Sequence, residues 1–253
     1  MPPEVCRRIR AIYTDIDDTI TTDGRVPAAA YAALWRAFEA KLRVVLVTGR
    51  PAGWCDHLAR MWPVSAVVGE NGALCYAMVE GKLERLYAER QGDAVERLAA
   101  IEADVLAAVP EACVASDQPF RLYDLAIDFA EEVGPLPEAD IDRIVEAYER
   151  HGAVAKVSSI HVNGWFGRFD KLSMCQRASE AFFGGPLDVE HATYIGDSPN
   201  DVPMFAHFPH ACGVANVQKM AHRMDALPSY LADQEGGAGF AQIVDHILDA
   251  RRG

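Results

Sequence analysis

The feature that most restricts this chain's fold is a set of short, unbroken apolar runs that each end in small polar residues and each lead into a helical pattern. Val44-Val-Leu-Val47 is apolar on both faces, which suits a strand covered on both sides, and it stops at Thr48-Gly49-Arg50-Pro51. Ahead of it, Ile12 and Tyr13 close a first run, Pro27 sits where a first helical turn begins, and Tyr31, Leu34, Trp35 and Phe38 recur at helical spacing up to about Lys41. Behind it, Trp54, Cys55, Leu58 and Trp62 mark a second helix, followed by a short strand from Ser65 to Val68 that ends at Gly69-Glu70-Asn71-Gly72. This repeated strand–helix–strand order predicts a doubly wound α/β fold around a parallel sheet.

The rhythm is interrupted once. Ala73 to Tyr87 reads as a hairpin turning at Glu80-Gly81-Lys82. Beyond it come a helix through Val95, Leu98, Ile101, Val105 and Leu106, strands near Ala112 to Ala115 and over Phe120 to Phe129, a helix from Pro137 to Gly152, and strands through Ala153 to Asn163. In the Phe120–Phe129 run, Tyr123, Leu125, Ile127 and Phe129 share one face and Asp124 and Asp128 the other, the alternation of a half-exposed antiparallel strand. Residues 88–168 are therefore expected to form an inserted α+β domain, with 1–87 and 169–253 making the core. The parallel rhythm resumes with a helix from Lys171 to Phe183, a strand Ala192 to Ile195, a helix Asn200 to Ala206, a strand Ala211 to Val214 and a closing helix.

Composition narrows the partners. The net charge of −13 disfavours nucleic acid and anionic membranes, both of which need a basic surface. No apolar run approaches transmembrane length. The six cysteines have no pair at two-residue spacing, so they read as reduced thiols of a cytoplasmic protein, and the sequence leaves oligomeric state open.

Ligands of such sheets bind beyond the carboxyl ends of the strands, where Asp15, Asp17, Thr48, Asn71 and Asp197 fall. At a period of two, Asp15 and Asp17 leave the backbone on one side, so two carboxylates share a small space that calls for a cation or a raised pKa. Taken alone, each of these polar stretches fits a turn or a helix cap equally well. In order, however, Asp15-x-Asp17-x-Thr19, Val47-Thr48-Gly49-Arg50, Lys171 and Gly196-Asp197-Ser198-Pro199-Asn200-Asp201 resemble the four motifs of the haloacid dehalogenase superfamily of phosphatases. The α+β insert between the second and third motifs, with Glu70-Asn71-Gly72-Ala73, is similar to the type IIB cap branch of that superfamily.

The resemblance implies a phosphomonoesterase acting on a small phosphorylated metabolite, a sugar phosphate or a phosphoglycolate-like acid. Asp15 would be the nucleophile that forms an aspartyl phosphate, and Asp17 the acid and base. Mg2+ would be held by Asp15, the main-chain carbonyl of Asp17 and Asp197, with Asp201 orienting its waters or Lys171. Thr48, Gly49 and Lys171 would hold the phosphate, with Thr19, Arg50, Asn71 and Asn200 around it. Arg121, Lys156 and His161 of the insert are candidates for leaving-group contacts. Asp18 departs from the branch, which usually has glycine there. Two rival functions share these residues: a phosphohexomutase, and a phospho-aspartate receiver domain, whose phosphorylated residue would end a middle strand.

Overall fold

The computed structural model describes residues 1–252. Among these residues twelve strands, β1 (Ala11–Thr14), β2 (Arg43–Val47), β3 (Ala66–Gly69), β4 (Leu74–Val79), β5 (Lys82–Tyr87), β6 (Cys113–Val114), β7 (Leu125–Asp128), β8 (Val154–Val157), β9 (His161–Trp165), β10 (Ala192–Gly196), β11 (Cys212–Gly213) and β12 (Tyr230–Leu231), divide into two sheets. The larger has the order β12-β11-β10-β1-β2-β3-β4-β5, parallel from β12 to β3 and antiparallel over the β4–β5 hairpin. The hairpin turns on Glu80 and Gly81, both at positive φ, the backbone that a two-residue turn with the right twist requires. The smaller sheet, β6-β7-β9-β8, is antiparallel throughout.

Among the described residues, nine helices accompany the strands: α1 (Pro3–Cys6), α2 (Ala28–Glu39), α3 (Ala52–Met61), α4 (Ala94–Ala108), α5 (Glu138–Arg150), α6 (Lys171–Phe183), α7 (Val202–His207), α8 (Val217–Met220) and α9 (Gly236–Arg252). The larger sheet is covered on both faces. Ile12, Val44 and Leu46 pack with Leu34 of α2, Leu58 of α3 and Phe240 and Val244 of α9. On the other face Tyr13, Val45 and Val47 pack with Met174 and Ala178 of α6 and Phe208. That double cover is why the strands read as continuous apolar runs. The smaller sheet has its own core, in which Leu125, Ile127 and Val162 meet Ile101 and Val105 of α4 and Ile144 and Tyr148 of α5.

The doubly wound α/β expectation holds, with four local differences. The strand expected over Phe120–Phe129 is only β7; before it lie a 3-10 turn, Gln118–Phe120, and an extended stretch whose Leu122 and Tyr123 amides donate to Glu70 instead of to a neighbouring strand. Asp124 and Asp128 are buried, not exposed, because the polar face of β7 looks toward the larger domain rather than toward water. The strands expected through Ala153–Asn163 are β8 and β9, on either side of a turn at Ser158, but β9 runs on to Trp165, past the expected end. The helix expected from Asn200 starts at Val202, behind a 3-10 turn over Pro199–Asp201 in which Ser198 and Asp201 cap each other.

One glycine is set by close approach. Gly72 has φ +105, and a Cβ there would stand 1.9 Å from the Asp170 carbonyl oxygen. The turn after β3 is thereby seated on the start of α6, which carries Lys171.

Candidate active site

The site grows from the ends of β1 and β10. The Asp15 amide donates to the Ile195 carbonyl at 2.9 Å, which carries the parallel ladder one residue past β1 and fixes Asp15 at the sheet edge. Lys171 opens α6, where Asp170 and Ser173 form a reciprocal cap, and its buried ammonium lies 2.9 Å from Asp15 Oδ1 and 2.6 Å from Asp201 Oδ1. Tyr194 Oη also donates to Asp201 Oδ1, and the amides of Asp197 and Ser198 donate to Asp201 Oδ2 at 3.0 and 3.3 Å. Thr19 Oγ1 donates to Asp197 Oδ1 at 2.8 Å. Asn216 Nδ2 bridges Asp197 Oδ2 and the Asp18 carbonyl at 3.2 and 3.0 Å.

Asp18 itself has φ +53, left-handed backbone that favours glycine and that Asp tolerates better than most residues. This accounts for the position's departure from glycine without assigning its carboxylate any chemistry.

Carboxylate oxygens of Asp15, Asp197 and Asp201 lie within 4.8 Å of one another, and all three residues are buried. Three carboxylates against one ammonium leave an excess of two negative charges in a place with little water. Burial, opposed by Lys171 and reinforced by Asp201 and Asp17, pushes the Asp15 carboxyl up to about 8. Burial and the charges of Asp15 and Asp201 raise Asp197 well above the carboxylate range. A hard divalent cation removes this conflict, and an all-oxygen set with few carboxylates suits Mg2+. The Asp17 side chain is turned elsewhere, so only its main chain is free for such an ion.

The imbalance sets a pH dependence. Between about 4, the ordinary value for an aspartate, and about 8, folded Asp15 keeps a proton that the unfolded chain has released, so stability falls as pH rises through this window. Thermal melting of metal-free protein at constant ionic strength is expected to show Tm dropping from about pH 5 to pH 8, with saturating Mg2+ flattening the drop. A Tm equally insensitive to pH with and without Mg2+ contradicts the ion site.

A second group lines the junction between the two domains. Arg50 donates to Asp17 through Nε at 3.0 Å and Nη2 at 2.8 Å, to Glu131 Oε1 at 2.5 Å and to Asp117 Oδ2 at 3.3 Å. His161 Nε2 lies 2.9 Å from Glu131 Oε2. Burial alone would raise Glu131, but the adjacent His161 imidazole and the Arg50 hydrogen bonds bring it down to about 2. Arg121 is not on a strand: its guanidinium is fully engaged with Asp117, both oxygens of Asp124 and the Gly49 carbonyl. Thr48 Oγ1 accepts from the Arg50 amide at 3.0 Å, the Asn71 amide donates to the Thr48 carbonyl at 3.1 Å, and Asn200 Nδ2 donates to Asn71 Oδ1 at 3.2 Å.

The structure thus brings Asp15, Thr19, Lys171, Asp197 and Asp201 into one cluster, and Thr48, Gly49, Asn71 and Asn200 into a second beside it. Arg50, Arg121 and His161 stand in the junction, each occupied by carboxylates. Glu70, Asp117, Glu131, Asn163 and Asn216 have no assigned role in the sequence alone. Glu70, inside Gly69-Glu70-Asn71-Gly72, and Asn163, inside the polar and aromatic run from Ser158 to Arg168, carry a local signal; the others gain meaning only from the packing of the two sheets against each other.

The chain is similar to several known proteins. Residues 12–102 match the family model described as haloacid dehalogenase-like hydrolase. The chain is 26% identical over 249 residues to a phosphoglycolate phosphatase of Methanothrix thermoacetophila, covering 96% of this chain and 98% of that one. Among solved structures, one from Thermoplasma acidophilum superposes with a TM-score of 0.71 at 20% identity, over 95% of this chain and 98% of that chain. The sucrose-phosphatase from Synechocystis sp. superposes with a TM-score of 0.62 at 17% identity, over 95% and 98%. At these identities the two structures speak for the fold alone.

Proposed function

We propose, for a chain that belongs to the haloacid dehalogenase-like hydrolases, a phosphomonoesterase that is Mg2+-dependent, acts on a small phosphorylated metabolite and works through an aspartyl phosphate on Asp15. The observation that carries the reading is Asp15 held by Lys171 within the Asp197 and Asp201 cluster, with Asp17 two residues on.

Lys171 occupies Asp15 Oδ1, leaving Oδ2 to attack phosphorus. As the O–P bond to Asp15 forms, the P–O bond to the leaving alcohol breaks, and Asp17 supplies that oxygen with a proton. Asp17 then takes a proton from water, which attacks the phosphorus of the acyl phosphate and releases inorganic phosphate and Asp15. Arg50 fixes Asp17 for both transfers through two hydrogen bonds. Thr48, Gly49 and Asn71 are placed to hold phosphate oxygens, with Asn200 bracing Asn71. Asp15, Asp197 and the main chain of Asp17 would hold the Mg2+, with Asp201 oriented behind them. When bound, it supplies positive charge that spreads the negative charge of the transferring group. Residues 88–168 act as a cap over the cleft, with Glu131 sharing Arg50 with Asp17 and His161 behind Glu131.

Incubation with p-nitrophenyl phosphate tests the reading. Continuous release of phosphate is expected with Mg2+ and none with a chelator; a stable phosphoprotein without turnover would sink it.

A further inference from the structure

We propose a second anion site at the opposite end of the larger sheet, where Arg43 and Arg10 bind a small tetrahedral oxyanion such as inorganic phosphate. The two ends are distinct: Asp15 and Asp197 follow β1 and β10, whereas Arg10, Arg43 and His191 stand where β1, β2 and β10 begin. The main chains of these three residues run side by side. The Arg10 amide donates to the His191 carbonyl at 2.7 Å, and the Arg43 amide to the Arg10 carbonyl at 3.0 Å. Between them and the last turn of α6 lies a cavity of about 190 Å³, whose walls include Tyr13, Ser179 and Phe183.

The arginines of this cavity have no counter-charge. Arg43 is half-buried, holds its guanidinium 4.1 Å over the Phe183 ring, and makes no ion pair or side-chain hydrogen bond with any described residue. Stacking fixes the plane of the fork and leaves its N–H edges free. Arg10 Nη1 donates to main-chain carbonyls, those of Arg7 at 2.9 Å and Ile9 at 3.3 Å, and no carboxylate among the described residues meets it. The Ile9 carbonyl also accepts from Arg251, and burial together with the charge of Arg10 holds Arg251 below its ordinary value. Three guanidiniums thus gather at one end of a chain whose net charge is −13. The acidic side chain lining the cavity, Asp188, is engaged by His191 Nδ1 at 2.9 Å. The carbonyls that end α6 would repel an anion, but the Ser179 carbonyl accepts the Gly184 amide and the Gly185 carbonyl accepts the Ser179 hydroxyl at 2.9 Å.

Size and geometry choose the ligand. A volume of about 190 Å³ is the share of roughly six water molecules, room for a hydrated phosphate and too little for a nucleotide. Guanidiniums that approach from neighbouring strands need an acceptor with oxygens on more than one side, which a tetrahedral dianion offers and a planar carboxylate does not.

The test is calorimetric titration of sodium phosphate into the metal-free protein in chelator, with ionic strength held constant by chloride. Without Mg2+ the carboxylate cluster repels phosphate, so heat from one saturable site, with a Kd of about 1 mM or tighter, is expected from the arginine cavity. Arg43→Met keeps the packing on Phe183 and is expected to weaken binding by about 10- to 100-fold, the worth of a charged hydrogen bond. If that variant does not fold, the exposed Arg10→Gln carries the same comparison. Thr48→Val, at the other end of the sheet, is expected to bind phosphate as the unmodified protein does. No saturation up to about 20 mM phosphate, acetate bound as tightly as phosphate, or binding lost in Thr48→Val and kept in Arg43→Met each overturns the proposal. None of these outcomes bears on turnover of p-nitrophenyl phosphate, which tests the phosphatase reading separately.

Discussion

Asp15→Asn is expected to lower kcat for p-nitrophenyl phosphate by about 10⁴-fold or more, the scale of loss when a covalent nucleophile is removed. The substitution keeps shape and an oxygen for Lys171 but takes away the attacking carboxylate. It also removes one of three buried negative charges, so the fold should not suffer: Asp15 is pushed up to about 8 by burial, and the amide holds no charge to desolvate. Thermal melting of the metal-free protein at pH 8 should give a Tm at or above that of the unmodified chain. Acid quenching during turnover should trap phosphoprotein from the unmodified chain and none from the variant. Activity within about tenfold of the original would remove Asp15 from the nucleophile's role.

Lys171→Met has the opposite profile in stability. The ammonium is 2% exposed and touches two carboxylates, which hold it above its ordinary value although burial pulls it down. Removing it leaves Asp15, Asp197 and Asp201 buried with no cation. Breaking a buried pair on one side costs about 3–5 kcal/mol, so a large drop in Tm is expected in chelator. Mg2+ should restore much of that drop but not the rate, which should stay at least about 10²-fold down because a fixed charge beside the transferring group is gone. Melting curves with and without Mg2+ separate the two effects; equal Tm values for variant and unmodified protein in chelator would contradict the charge balance described for the site.

The strand ends were legible because a parallel sheet forces them together: once Asp15, Thr48, Asn71 and Asp197 are each placed after an apolar run, their proximity follows from topology. Lys171 was marked by its place in the order of the motifs, at the start of the helix after the insert, and not by any local pattern that tells it from a solvated lysine. The polar face of β7 was not legible. Alternation puts Asp124 and Asp128 on one side of a strand but does not tell whether water or another domain lies there, and the answer was a set of buried cations and amides. The carboxylates that engage Arg50 and Arg121 were hidden for the same reason: Asp117, Asp124 and Glu131 are remote or unremarkable in sequence and come beside those arginines only where the two sheets meet.

The joint between the two sheets bears on how such a molecule can change. Glu70, fully buried, takes the amides of Leu122, Tyr123 and Asp124 ahead of β7 and of Ala52 at the start of α3 onto one carboxylate. All four donors are main-chain groups, so this hydrogen-bonded joint places no demand on the side chains of Leu122 and Tyr123. Substitutions at those two positions can accumulate while the main chain stays in register with the larger sheet.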